Sequence, residues 1–187
     1  MRAPMPLAPS SVRLEYAQEP DVSAHLDEEL RELLGNCFPQ PRCAFFFRRR
    51  YAQEMPLHRH LLRDAAGRLV AHVAVHEKKI GVGEGDLLVG GLAEVCVHES
   101  LRGQQLARRL LARTHDHLRE RGIEFALLFG DAAIYSADGY LPLAAEIRRF
   151  DPATQSIESG PSRVARYKPL AARPWPVGSV DLRGPMF

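Results

Sequence analysis

A chain of 187 residues is long enough for one domain with a sizeable core and not obviously long enough for two. Its residues are 45% hydrophobic and 26% charged, the balance of an ordinary globular protein, and a formal charge of +2 is too small a bias to call for a nucleic-acid partner. No run approaches the roughly 18 apolar residues of a membrane span, and prolines break up "MRAPMPLAPSS" where a secretory signal needs an apolar core, so a cytoplasmic location without membrane contact is expected.

The leader, 1–11, is followed by an expected domain over 12–170 and a Pro/Gly-rich tail over 171–187. "VRLEYA" (12–17) alternates as a first strand, and "DVSAHLDEELRELLGNCF" (21–38) reads as a helix with Leu26, Leu30, Leu33 and Leu34 on one stripe. "PRCAFFFRRRY" (41–51) has no clear period and is read as a short helix, its aromatics buried and its charges solvated, with an acceptor groove as the alternative. From "HRHLLRD" through "AAG" to "RLVAHVAVHEKKI" the pattern is a hairpin, and "DLLVGGLAEVCVH" (86–98), apolar on both faces, belongs in the middle of a sheet. "GVGEGD" (81–86) joins these strands and opens no helix, so it is a hairpin connection rather than a dinucleotide loop.

A helix over 103–121 follows, with Leu106, Leu110, Leu111 and Leu118 inward and Gly122 as its stop. "EFALLF" (124–129) is then a buried strand parallel to the central one. "DAAIYSADGY" allows a couple of helical turns, "YLPLAAEIRRF" (140–150) and "SRVARYKPL" (162–170) read as the last strands, and the tail is expected to run over the surface or onto a partner. A homodimer is left open. The three cysteines, Cys37, Cys43 and Cys96, form no CxxC pair and read as reduced thiols.

A tight turn that feeds a helix is an anion site, because the first N–H groups of the helix are unpaired and carry partial positive charge. Here the turn stands at the carboxyl end of the central strand, where open sheets bind ligands. Arg102 to Ala107 reads R-G-Q-Q-L-A, which resembles the RxxGxG/A pyrophosphate loop of the GCN5-related N-acetyltransferase (GNAT) superfamily. "GDAAIYSADGY" (130–140) resembles that superfamily's Tyr…Gly-Phe segment, with Tyr135, Gly139 and Tyr140 in the matching places. "VGEGDLLVGGL" is in turn similar to the nodulation-factor acyltransferases.

The resemblance covers most of 12–169 and implies the GNAT fold, α/β (α+β) with a mixed, mostly antiparallel central sheet and helices on both faces. It implies acetyl-CoA or another acyl-CoA as donor, with Val95, Cys96, Val97, Arg102, Gly103, Gln104, Gln105, Leu106, Ala107 and Arg108 around it, and a small-molecule amine as acceptor. Gln105 departs from the pattern, standing where the family has its middle glycine. A side chain there either crowds the phosphates or donates its amide to them.

Acyl transfer to an amine requires that a proton be taken from an alkylammonium of pKa about 10.4. Glu94 sits in an apolar strand, where a carboxylate is costly without a role. It reads as a base, an ammonium anchor or a structural partner, and its likeness to the family's strand-borne glutamate selects the base. On a regular strand Glu94, Cys96 and His98 share one face, which puts His98 about 13 Å further along and makes it a loop-edge residue. Tyr135, otherwise a core tyrosine, is by the motif match the acid for the departing thiolate, and a backbone N–H near Val95 to Val97 polarises the thioester where the family's sheet splays.

Cys96 lacks a fixed histidine partner and reads as inert. His72 and His76 stand about 13 Å apart on their strand, and His115 and His117 point to different sides of a helix, so no metal is expected. The expected reaction is acetyl transfer to a primary amine by direct attack. The alternatives are a longer-chain acyltransferase acting on an amino sugar and a non-catalytic acyl-CoA-sensing module.

Overall fold

The computed structural model describes residues 12–187, so the leader lies outside the described residues. The strands are β1 (Arg13–Gln18), β2 (His58–Arg63), β3 (Leu69–Val82), β4 (Gly85–Val97), β5 (Phe125–Phe129), β6 (Leu141–Pro142), β7 (Glu146–Asp151), β8 (Ser156–Pro161), β9 (Ala165–Pro169) and β10 (Val180–Asp181). The helices are α1 (Ala24–Cys37), α2 (Leu106–Glu120) and α3 (Ala132–Tyr135), and Pro41–Phe47 forms a 3₁₀ segment.

All ten strands join one sheet in the order β6-β9-β5-β4-β3-β10-β7-β8, with β2 also paired to β3 and β1 paired to β2. Only β4–β5 and β7–β10 are parallel, so the sheet is mixed and mostly antiparallel, as expected. The two-residue turn Gly83-Glu84 closes the long β3–β4 hairpin, whose register runs from Val82↔Gly85 to Ala71↔Val97. That hairpin is the spine of the molecule.

Alternation sends neighbouring residues to opposite faces. Leu62, Val73, Val75 and Leu92 pack with Leu110, Leu111 and Leu118 of α2. Leu61, Leu69 and Cys96 pack with Leu30, Leu33 and Leu34 of α1. Each helix is thus fixed to its own face by its leucine stripe, and burial of one such side chain is worth roughly 1.5–3 kcal/mol.

Ser23 caps α1, its Oγ accepting from the Leu26 N–H at 3.2 Å. Gly122, at φ 72°, ends α2 with the Ile123 N–H bonded back to the Leu118 carbonyl. The pair Gly90-Gly91 lets both faces of β4 be approached closely. A Cβ on Gly90 would meet Leu118 of α2 at 2.5 Å, and one on Gly91 would meet the Phe187 ring at 2.7 Å.

Two expectations change in the C-terminal third. The segment read as one strand over 140–150 is broken into β6 and β7, and Ser156–Pro161 adds β8, which pairs with β7. The tail runs over the surface, as expected, only as far as Ser179, and its end joins the sheet. β2 covers only the first half of the outer edge of β3, and β10 covers part of the rest, with Val180 pairing Val82 on one side and Ile147 on the other. Val180 and Leu182 are 0% exposed, and Trp175, Met186 and Phe187 pack against the same cluster. An open edge of a long apolar strand invites pairing, and this tail supplies it from within the chain. Among the described residues no helix is long and apolar enough to cross a membrane.

Candidate functional site

The expected regularity of β4 fails at Glu94. Ala93 pairs Ala74 and Cys96 pairs His72, so Glu94 and Val95 together oppose Val73 in a β-bulge. Glu94 has a left-handed backbone, φ 47°. A buried chain of side chains holds this conformation. The His72 Nδ1–H donates to the Glu94 carbonyl at 3.1 Å, Arg59 donates to His72 Nε2 at 3.0 Å, and Arg59 Nε donates to Glu19 at 2.6 Å. A carbonyl only accepts and a guanidinium only donates, so His72 is neutral and protonated on Nδ1. Burial, with Arg59 beside it, pushes its pKa well below the ordinary value.

The Glu94 carboxyl turns toward the segment after the 3₁₀ turn, where Oε1 accepts from the Ala52 N–H at 2.8 Å. Oε2 is buried without a hydrogen-bond partner among the described residues. Burial pushes the Glu94 pKa up to about 7, against the lowering effects of the Ala52 N–H and of Arg59. A carboxyl so placed exchanges a proton near neutral pH.

Beyond the bulge the sheet parts. β4 pairs β5 only at Gly90–Leu92, whereas β5 pairs β9 along its whole length. Val95 to Val97 therefore face a cleft instead of a neighbouring strand on that side. The cleft has a volume of about 450 Å³, with Val95, Cys96 and Val97 on one wall and Tyr135 and Ile134 on another.

At the far end lies the turn. Gly103 (φ 78°) and Gln105 (φ 58°, ψ 18°) are both left-handed, which delays the start of α2 to Leu106, three residues later than the sequence suggests. The first backbone bond of the helix runs from the Arg109 N–H to the Gln105 carbonyl, so the N–H groups of Leu106, Ala107 and Arg108 have no partner within the helix. Gln105 makes no side-chain capping bond. Arg102 donates to the Val97 carbonyl at 3.3 Å, and Arg108 pairs with Asp138 at 3.0 Å.

Tyr135 is positioned from α3, which Asp131 caps by accepting from the Ala133 N–H. Its ring lies over Gly130, where a Cβ would come within 2.3 Å of it. The side chain is 9% exposed, and burial, with Cys96 beside it, pushes its pKa up to about 12.

Of the expected donor-binding residues, Val95, Cys96, Val97, Arg102, Gly103, Gln105, Leu106, Ala107 and Arg108 line this one cleft, together with Tyr135. Gln104 lies in the same turn and does not line the cleft. Glu94 is next to the cleft wall in sequence but directs its carboxyl to Ala52. His98 caps the 3₁₀ turn Glu99–Leu101 at the edge, as expected. Cys96 is a buried free thiol with its pKa pushed up, chiefly by its contact with Cys37 and by burial.

Sequence reasoning missed Ala52 and the Glu19–Arg59–His72 chain. Their signal was charge on strands that read as buried, which marks a network without naming its members. The aromatic block is also only partly as expected, with Phe46 buried and Phe47 exposed.

Comparison with known proteins agrees with this architecture. The family model for the acetyltransferase (GNAT) domain matches residues 23–143. The "uncharacterized N-acetyltransferase YhbS" of Escherichia coli K12 is 37% identical over 77 residues, which are 41% of this chain and 45% of that protein. The match thus spans less than half the length of that relative. The crystal structure of E. coli YhbS in complex with CoA superposes with a TM-score of 0.65 at 23% identity, covering 97% of this chain and 93% of that one. A GNAT family acetyltransferase from Brucella melitensis in complex with acetyl-CoA gives 0.59 at 17% identity, covering 90% and 94%. At such identities the likeness is one of fold.

Proposed function

The chain belongs to the GNAT acetyltransferase family, and on that premise we propose that it transfers an acyl group, most simply acetyl, from acyl-CoA to a small primary amine by direct attack. The observation that carries this reading is the single cleft, bounded by the left-handed turn before α2, by the freed edge Val95–Val97 and by Tyr135. A diphosphate suits the first, because the N–H groups there have no partner within the helix. A thioester arm suits the second, because an unpaired strand edge offers N–H and C=O groups to an extended ligand.

In this reading Glu94 takes the proton from the ammonium. Its pKa near 7 leaves about half of the carboxyl ionised at neutral pH and close to the optimum for a general base. The amine nitrogen then attacks the thioester carbon, and a backbone N–H at the parted edge holds the developing oxyanion. The C–S bond breaks and the sulfur leaves as a thiolate. Tyr135, protonated throughout the physiological range, supplies a hydrogen bond and then the proton. A phenol pushed up to about 12 is a reluctant acid, but a thiolate buried against the same apolar wall has its own pKa raised, which narrows the gap.

The domain is taken as 12–170 completed by the tail, and neither a membrane nor a nucleic acid enters the reading. The test is calorimetric titration with acetyl-CoA, desulfo-CoA and octanoyl-CoA. Micromolar binding of all three is expected, the acetyl form tightest. Tighter octanoyl-CoA would move the donor to longer chains, and no binding by any of them would remove the reading.

A further inference from the structure

Beneath the C-terminal half of α2, at the opposite end from the cleft, three elements bring histidines and a carboxylate together. His58 and His60 are two apart on β2 and so face the same way, Glu77 continues the face of Val73 and Val75 on β3, and His117 comes down from α2. The ligand atoms of His58, Glu77 and His117 all lie within 4.8 Å of one another. The His117 ring stands edge-on to both others, 4.9 Å from His58 and 5.0 Å from His60. His60 is only 2% exposed, and Nε2 of His60 and Nε2 of His117 are buried without a hydrogen-bond partner among the described residues. Two such nitrogens side by side are costly. A bound cation would satisfy them.

We propose that His58, Glu77 and His117 bind a divalent cation of the zinc class, with His60, whose buried Nε2 has no partner among the described residues and whose ring lies 5.0 Å from that of His117, as a donor for the fourth tetrahedral position. Imidazoles with one carboxylate form the nitrogen and oxygen set that zinc takes in proteins, and the set offers nothing to calcium or magnesium, which require several oxygens. Ligands at about 2.1 Å in a tetrahedron are about 3.4 Å apart, so a spacing of at most 4.8 Å has to close by no more than about 1.4 Å. His58 also has the expected outer support, since Tyr16 Oη lies 2.8 Å from its Nδ1. His58 Nε2 bonds to Glu77 Oε1 at 3.0 Å, and Arg121 spans both oxygens of that carboxylate. The cation replaces the proton between His58 and Glu77, and Arg121 keeps only Oε2, to which it donates at 3.0 Å.

The site is structural. His117 stands 11 residues along α2 from Leu106, roughly 16 Å at 1.5 Å per residue, too far to touch a reacting group in the cleft. What it does is clip α2 to β2 and β3, and α2 is the helix whose first turn shapes the cleft. The inference therefore stands or falls apart from acyl-CoA binding.

The experiment uses untagged, metal-stripped full-length protein titrated with Zn²⁺ by calorimetry and followed by thermal unfolding, with Co²⁺ absorption reporting geometry. One cation per chain, a higher melting temperature and a tetrahedral Co²⁺ spectrum are expected. His117→Ala should lose the site, and Tyr16→Phe should weaken it about tenfold. Arg121→Gln, at a partly exposed position where folding is not at stake, should tighten zinc by removing the competitor for Glu77. Absence of stoichiometric binding by the unaltered protein, or binding unaffected by both His117→Ala and Arg121→Gln, would overturn the proposal.

Discussion

The two ends of α2 contrast in how they are built. At the N-terminal end, the turn Arg102–Gln105 and the first helical residues are contiguous, and the backbone does most of the work through two left-handed residues and the N–H groups that follow. At the C-terminal end, His117 finds its neighbours 40 and 59 residues away, on Glu77 and His58, and side chains do all the work. A site made of backbone within one turn leaves a contiguous signature. A site made of side chains from three elements does not, because only register and packing decide which of eight histidines meet.

The sharpest way to break this contrast is to change the side chain proposed as base beside the N-terminal site. Glu94→Gln keeps the acceptor for the Ala52 N–H and removes the charge, so turnover should fall about 10²- to 10⁴-fold, with acyl-CoA affinity unchanged in calorimetry. Turnover of the unaltered protein should rise with pH through about 7. Stability should run the other way. The folded-state pKa of Glu94 is raised above its ordinary 4.5, so the folded protein holds a proton that the unfolded chain has lost. Stability is then lost as pH rises from about 4.5 to 7. Glu94→Gln should therefore be more stable than the parent above pH 7, by roughly 3 kcal/mol at most, with the difference vanishing in acid. Denaturant melts at pH 4.5 and 8 measure this directly, and equal differences at both would remove the buried carboxylate from the account.

Tyr135→Phe tests the opposite wall of the cleft. Its ring packs on Gly130 and against Tyr140, contacts that phenylalanine preserves. Loss of the hydroxyl should lower turnover about ten- to a hundredfold, toward the lower end of acid catalysis, while acyl-CoA binding stays put. Turnover equal to the parent would leave Tyr135 as a core residue.

How much was legible follows from the same physics. The leucine stripes of α1 and α2, the alternation of β3, the two-faced apolar run of β4 and the short connection at Gly83-Glu84 are local patterns, and each appears where the sequence puts it. The bulge at Glu94 was not legible, because a single extra residue in one strand has no periodic trace and is held by His72 and Arg59 on other strands. The end of the tail was misread for a related reason. Pro and Gly mark irregular backbone, but Val180 and Leu182 are buried because β3 outruns β2 and leaves an edge to fill, a fact about strand lengths rather than tail composition.

The smallest effect is expected at Gln105, the residue that departs from the glycine pattern. A non-glycine residue at φ 58° costs roughly 1 kcal/mol in the folded backbone, and glycine would relieve it. Glycine also frees the unfolded chain by a similar amount, so the melting temperature of Gln105→Gly should hardly move. Binding is where the change should show. Because the Gln105 side chain makes no capping bond and the residue borders the cleft, its removal lets a diphosphate approach the Leu106 and Ala107 N–H groups more closely. Desulfo-CoA should then bind about two- to fivefold tighter, less than the tenfold that 1.4 kcal/mol would give. Weaker binding would mean that the Gln105 amide itself donates to a phosphate, and the N-terminal site would then depend on a side chain as the C-terminal one does.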